Sequence, residues 1–199
     1  MNNEQLHELL YQGLETEIGG EQVYLKAIEC AVNDDLREEW NKYLDETRMH
    51  QEVMLAVFEE LGLDPEARTP GREIVAHHGE SLVKAMDMAL AAGDPAAAEL
   101  VAAECVVLAE TKDHLNWELL GYVAKKATGD TRKVLQAAYE KVKQQEDHHL
   151  YHTKGWCREL WLKSLGLPAV LPPPEEVKNV ETAIGAARAE NARDQMRKH

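Results

Sequence analysis

Two side chains that could bind one metal ion lie three residues apart in the last long segment of the chain. Glu146 and His149 form a Glu-x-x-His tetrapeptide among residues that favour helix. Residues three apart share one face of a helix, so the carboxylate and the imidazole can reach the same ion. Such a tetrapeptide is common by chance, and further ligands must come from other segments.

Glutamate and histidine also interrupt the apolar stripes of three earlier segments. Apolar residues recur there at three- and four-residue steps, as on the buried face of a helix. The interruptions are Glu17 in the first segment, His50 in the second, and Glu110 with His114 in the fourth. Because an isolated ionised group in an apolar interior costs many kcal/mol, the pattern predicts that these groups share a cation.

These residues are expected at one height in a bundle of antiparallel helices. Glu17 lies 17 residues before Asp34, at the centre of the first turn, and His50 lies 16 residues after it. The candidates in the last two segments are spaced similarly around the turn at Gly129. At about 1.5 Å per residue, their heights differ by a few ångströms. The predicted metal ligands are Glu17, His50, Glu110, His114, Glu146 and His149.

The ligand types limit which metal the site would hold. Carboxylates with imidazoles suit iron, manganese or zinc, whereas calcium prefers oxygen ligands alone. Three glutamates and three histidines exceed the needs of one ion, so we expect a di-metal centre, with iron first and manganese or zinc as alternatives. Such a centre would act on oxygen, peroxide or iron itself. Two other classes stay open: an enzyme hydroxylating an organic substrate, and a metal-free helical dimer serving as an interaction or structural module.

Five helical segments must position these residues, and no β-type alternation competes with them. Turn and cap signals predict helices over residues 3–31, 36–61, 73–91, 95–127 and 131–165. Tight turns join the first helix to the second and the fourth to the fifth, while residues 62–94 connect the two pairs. This order predicts an all-α, ferritin-like four-helix bundle of two antiparallel hairpins with a long helical crossover.

The bundle is expected to form one domain over residues 1–166, followed by a tail over residues 167–199. The tail contains Pro172-Pro173-Pro174, and residues 175–197 have the composition of a peripheral amphipathic helix. Few large apolar side chains occur in that helix, so we do not expect it to enter the core.

Composition and charge argue against several kinds of partner. The 199-residue chain has a formal net charge of −14, which disfavours nucleic acid because phosphate would be repelled. No apolar run is long enough to span a bilayer, and the acidic N-terminus predicts no secretory signal. Three scattered cysteines without a CxxC pair predict free thiols and a cytoplasmic location.

The order of the ligand-bearing segments resembles the ferritin-like superfamily over roughly residues 5–165. Glu17 and Tyr24, seven residues apart, are similar to a first-helix pair of ferritins. The stretches LHELLY at 6–11, YLDETR at 43–48 and VFEELG at 57–62 resemble the YciF-type branch of bacterial ferritin-like proteins. That branch is linked to stress responses, and the resemblance implies a homodimeric bundle with a di-metal centre.

Two positions depart from the superfamily pattern. Thr47 stands where the second helix usually carries the glutamate of a Glu-x-x-His motif, and the adjacent Glu46 faces the flank of the stripe. His114 stands where a bridging glutamate is usual. With fewer bridging carboxylates, the site is expected to bind one ion tightly and a second weakly. His148 and His152 are expected to face solvent.

Overall fold

Residues 1–174 are described by the structure, a computed structural model. They form five α-helices: α1 Asn3–Cys30, α2 Asp34–Leu61, α3 Pro70–Ala91, α4 Pro95–Lys126 and α5 Gly129–Ser164. This part of the chain contains no β-strand, so the all-helical prediction is confirmed. The helix predicted over residues 175–197 lies outside the described residues.

Side-chain caps set where four of the helices begin. Asn2, Asn33, Thr69 and Asp94 each accept a hydrogen bond from a backbone N–H two or three residues later. These bonds satisfy N–H groups that have no partner in the first turn of a helix. Pro70 follows the Thr69 cap and suits the first helical position, which is why α3 begins before the predicted residue 73.

The helices α1, α2, α5 and α4 form the four sides of a bundle, and each is antiparallel to its two neighbours. In the α1–α2 pair, Tyr11 packs on Phe58 while Glu21 bonds to Arg48. Residue numbers therefore increase along α1 in the direction in which they decrease along α2. The same reversed pairing joins α1 to α4, α2 to α5 and α4 to α5. Within the described residues, the diagonal pairs α1–α5 and α2–α4 bring no Cα atoms within 8 Å of each other, and only side chains meet across the centre of the bundle.

The helix α3 carries the chain from the end of α2 back to the start of α4. It packs against α1 and α4 and runs parallel to α1. Near one end Arg72 pairs with Glu15 at 2.7 Å, and near the other Asp87 pairs with Lys26 at 3.0 Å. The crossover therefore spans most of the bundle's length, and the two hairpins it connects lie side by side.

Two apolar clusters fill the bundle, one at each end. The upper cluster, beside the α1–α2 turn, is built around Tyr24, Leu36, Trp40, Val106, Trp156 and Leu160. The lower cluster, beside the α4–α5 turn, is built around Leu10, Phe58, Trp117, Leu120, Leu135 and Val142. Buried polar side chains occupy the level between them, and this level positions the candidate site.

Two predictions from composition can be compared with the structure. None of the helices in residues 1–174 combines the length and the apolar content needed to cross a membrane. Cys30, Cys105 and Cys157 carry free thiols, the first two buried and the third half-buried. The cytoplasmic location stays a prediction.

Candidate metal centre

Six ionisable side chains from all four bundle helices meet between the two apolar clusters, and we call them the ligand layer. All six are buried, with no side chain more than 6% exposed. The layer consists of Glu17 on α1, His50 on α2, Glu110 and Asp113 on α4, and Glu146 and His149 on α5.

The helical repeat places these residues inward because their buried neighbours lie three or four positions away. Glu17 follows Leu14 by three residues on α1. His50 lies three residues after Thr47 and four before Met54, both buried on α2. Apolar contacts above and below therefore hold the charged groups in the interior, although burial of the charges themselves is unfavourable.

Five of the six residues of the layer, all except Glu110, form two groups that share one carboxylate. His50, His149 and Glu146 form the first group, and Glu17, Asp113 and Glu146 form the second. In each group, one ligand atom from every residue lies within 4.8 Å of the others. Glu146 has two carboxylate oxygens, so it can contact an ion in both groups at once. The two groups could therefore hold two adjacent cations, with Glu146 shared between them.

Distances within the layer are close to those of a coordination shell. His50 Nδ1 lies 2.9 Å from an oxygen of Glu146 and 3.7 Å from an oxygen of Glu17. His149 Nδ1 lies 3.7 Å from an oxygen of Glu110 and 3.9 Å from one of Glu146. Ligand atoms bonded to one ion at about 2.1 Å are separated by about 3.0–3.4 Å in octahedral or tetrahedral shells. Small side-chain adjustments would therefore close the site around an ion.

Most of the layer's inward-facing atoms make no hydrogen bond of acceptable geometry, although His50 Nδ1 and an oxygen of Glu146 lie only 2.9 Å apart. Among residues 1–174, eleven buried side-chain nitrogen or oxygen atoms are unpartnered, and seven belong to the ligand layer. Buried polar groups are normally satisfied, since an unmet donor or acceptor costs about 1–3 kcal/mol. The unpartnered atoms are one oxygen each of Glu17, Glu110 and Asp113, both oxygens of Glu146, and Nδ1 of His50 and of His149. All are atoms that bind metals.

Both imidazoles are oriented by a partner outside the layer. His50 Nε2 lies 3.1 Å from the amide oxygen of Gln145, and His149 Nε2 lies 2.6 Å from a carboxylate oxygen of Glu46. With Nε2–H donating to these acceptors, each neutral ring turns a lone pair on Nδ1 into the layer. Burial lowers the pKa of His50, which favours the neutral ring. A metal-binding histidine commonly donates a hydrogen bond from its other ring nitrogen in this way.

Burial also changes the acidity of the carboxylates. It raises the pKa values of Glu17, Asp113 and Glu146 well above their ordinary ranges. Repulsion adds to this effect, from Asp113 on Glu17 and from Glu110 on Glu146. Without a cation, these acids therefore tend to retain protons. A divalent cation between them would displace the protons and stabilise the charged carboxylates.

Two aromatic side chains hold carboxylates of the layer in place. The Tyr24 hydroxyl donates to Glu110 Oε1 at 2.7 Å. The indole nitrogen of Trp117 donates to Glu17 Oε1, also at 2.7 Å. Both aromatic residues are buried. In each carboxylate, one oxygen is thereby fixed and the other is left facing the layer.

Five of the six residues predicted from sequence belong to the layer, and His114 does not. Its ring lies at the α4–α5 surface, where Nε2 is 2.8 Å from Asp147 Oδ1. Asp113, the residue before it, is the one that points inward. Sequence reasoning also missed that Glu46 contacts His149. One signal for Asp113 was available, because Glu110 and Asp113 are three residues apart, as Glu146 and His149 are.

A small cavity reaches the layer from the α4–α5 side. Its volume is about 60 Å³, and Glu146, His114 and Asp147 are among its lining residues. This space suits a few water molecules or a ligand of similar size. A larger cavity, of about 330 Å³, lies between α1, α3 and α4, and no residue of the ligand layer lines it.

Comparison of the chain with protein-family models, with curated proteins and with solved structures found no match. The functional argument therefore depends on the geometry of the ligand layer.

Proposed function

We propose that this chain is a ferritin-like protein whose ligand layer binds two metal ions bridged by Glu146. The observation that carries the proposal is the set of seven unpartnered, ligand-type atoms directed into one buried layer. The residues of the two groups below carry six of these seven atoms, and metal coordination would compensate them, while the seventh, on Glu110, lies 3.7 Å from His149 Nδ1. The buried groups His50–His149–Glu146 and Glu17–Asp113–Glu146 supply the two positions.

The ligand arrangement supports membership of the carboxylate-bridged class. In ferritin-like di-metal bundles, two helices supply one glutamate each and two supply a Glu-x-x-His motif. Here α1 contributes Glu17 and α5 contributes Glu146 with His149, in agreement with that scheme. The helix α2 has Thr47 in place of its glutamate, and Asp113 on α4 adds the missing carboxylate. The total is again four carboxylates and two imidazoles.

The donor set favours iron or manganese, with zinc as the alternative. Bound iron or manganese would supply redox chemistry toward oxygen or peroxide. The chain's own residues orient the ligands through Tyr24, Trp117 and Glu46, and the apolar clusters keep bulk water away. The 60 Å³ cavity at Glu146 suits oxygen, peroxide or a metal ion better than an organic substrate. We therefore favour small-molecule or iron handling over hydroxylation.

Elemental analysis of natively purified protein tests the metal proposal. We expect about two iron or manganese ions per chain. The double variant Glu146→Ala with His149→Ala should lose both ions while its helical circular dichroism is largely kept. His114→Ala is the matched control, because it removes a histidine of α4 that lies outside the layer, and it should keep its metal. Unchanged metal content in the double variant would refute the site.

A metal-free helical dimer is the second candidate function, and one surface feature favours a dimer. Leu108, Leu115 and Leu119 are exposed along one face of α4, with exposed fractions of 60%, 48% and 39%. A homodimer covering this face is compatible with either function. Chelation separates the two: loss of metal should lower the unfolding temperature of a metalloprotein and leave an interaction module unchanged.

A further inference from the structure

A second group of ligand-type side chains lies outside the ligand layer, between α2 and α5. Glu39 on α2 faces His148 and His152, which are four residues apart on α5. None of these residues belongs to the layer. His152 is buried, contrary to its predicted exposure, while Glu39 and His148 are half-buried.

The three ligand atoms of this group are close to one another. Glu39 Oε1 lies 3.7 Å from His148 Nε2 and 3.9 Å from His152 Nδ1. Zinc–ligand bonds of about 2.0–2.1 Å place neighbouring atoms of a tetrahedral shell about 3.4 Å apart. Shifts of about half an ångström would bring Glu39 to that separation from either imidazole, and the two imidazoles each offer a nitrogen within 4.8 Å of the other. Two histidines four residues apart on one helix face are well placed to bind one ion.

One atom of the group has unmet coordination capacity. His148 Nε2 is buried from solvent and has no hydrogen bond, although Glu39 lies near it. A buried imidazole nitrogen in this situation needs a donor, an acceptor or an ion. The neighbouring Tyr43 ring packs against the imidazole of His148, with the ring centroids 5.6 Å apart. This packing holds the imidazole in place beside Glu39.

The present partners of the group can be exchanged when an ion binds. The Tyr43 hydroxyl lies 2.6 Å from His152 Nδ1 and is also close enough to Glu39 to lower the pKa of that carboxyl, so it can turn towards the carboxylate when an ion takes the imidazole. Lys42 pairs with Glu39 at 3.2 Å, but its side chain is half exposed. Exposed ion pairs contribute about 0–1 kcal/mol. Neither contact is therefore a strong barrier to binding.

We propose that Glu39, His148 and His152 form an outer site for a divalent transition-metal ion, zinc or ferrous iron, separate from the ligand layer. Two imidazoles and one carboxylate are a common ligand set for these ions, with the remaining positions open to water. Because Glu39 and His148 are partly exposed, the outer ion exchanges faster than ions in the buried layer. Tyr43 lies between the two sites, since its ring packs on His148 of the outer site and also on His149 of the layer, at 4.3 Å between ring centroids.

Zinc binding by the full chain tests the outer site, because zinc has no redox chemistry to complicate the measurement. Equilibrium dialysis gives the number of zinc ions per chain. We expect the variant His148→Ala with His152→Ala to bind one ion fewer than the unchanged chain. His77→Ala with His78→Ala is the matched control, because it removes two exposed histidines of α3, and it should bind the full number.

Two further variants make the result specific. Glu39→Gln keeps the size of the side chain and should weaken the outer binding step by at least about tenfold. Glu146→Ala should abolish binding in the ligand layer and keep the outer ion, so the two sites fail independently. Equal zinc content in the unchanged chain, the His148–His152 variant and Glu39→Gln would overturn the outer site. If the double variant lost helicity, Glu39→Gln would decide the question.

Discussion

Nε2 of His149 lies 2.6 Å from a carboxylate oxygen of Glu46, where α5 faces α2. Burial alone would raise the pKa of Glu46, but its hydrogen bond with His149 contributes to a net lowering. The carboxylate therefore stays ionised and fixes the imidazole, so that Nδ1 points to Glu110 and Glu146. Glu46 lies outside both groups of the layer, yet it orients one of their imidazoles.

The first prediction concerns this orienting contact. Glu46→Gln should lower the affinity for metal about 10- to 100-fold, because the imidazole loses its charged acceptor. A competition titration with a chelator of known affinity measures the change. Glu52→Gln alters an exposed glutamate of the same helix and should have no effect. Equal affinities in the two variants would show that Glu46 does not support the site.

The second prediction concerns Asp113, which completes the group formed with Glu17 and Glu146. Asp113→Asn should reduce the metal content from two ions per chain to one, because the second position loses one of its charged ligands. Elemental analysis after gel filtration gives the count. Glu118→Gln, an exposed change on the same helix, should leave both ions bound. Two ions retained in Asp113→Asn would assign the second position to other ligands.

The third prediction concerns the pH dependence of metal-free protein. The pKa values of Glu17 and Glu146 are raised above the ordinary 4.5. A raised pKa means that the folded chain binds the proton more strongly, so this stability is present at low pH and is lost as pH rises above about 4.5. Burial lowers the pKa of His50 from 6.5, so this residue makes the opposite contribution to the pH dependence of stability. It is one group set against two carboxyls.

Calorimetry after chelation should therefore give a lower unfolding temperature near pH 7.5 than near pH 5.5. In metal-loaded protein the carboxylates stay deprotonated, and stabilisation by metal should increase with pH over the same range. A metal-free protein that was more stable near pH 7.5 would contradict the effect of burial on the acids.

The fourth prediction separates packing from metal binding. Phe58 is fully buried in the lower cluster and packs edge-on against Tyr11, with ring centroids 5.1 Å apart. Phe58→Ala should lower the free energy of unfolding by about 3–5 kcal/mol through the cavity it leaves. Leu55→Ala, at a partly exposed site on the same helix, should change it far less. Urea unfolding measures both, and folded Phe58→Ala protein should keep its metal.

The fold was largely predictable because its signals are local. Two tight turns and the capping residues Asn33 and Asp94 mark where helices meet, and the long connection between the pairs indicates a crossover. A Pro-Gly pair commonly breaks a helix, so the sequence pattern at Pro70 predicts too late a start for α3. In fact proline is the first residue of the helix.

The site was less predictable where a choice depended on the rotation of a helix. Asp113 and His114 follow Glu110 by three and four residues, and both steps fit one face at 3.6 residues per turn. Packing of α4 between α1 and α5 selects Asp113, which a single helix cannot reveal. The same limit applies to His152, whose burial depends on the contact of α5 with Tyr43.

The two apolar clusters are separated by the ligand layer, so the protein has two small cores stacked end to end rather than one. Ions bound in the layer would link side chains of all four bundle helices at the level between the two cores. Removing them leaves a layer of protonated acids and of imidazoles whose Nδ1 atoms have no partner, and this layer is then the weakest level of the bundle. Loss of metal would weaken the coupling between the two ends, so that one end could open while the other stays folded and a single unfolding step divides into two.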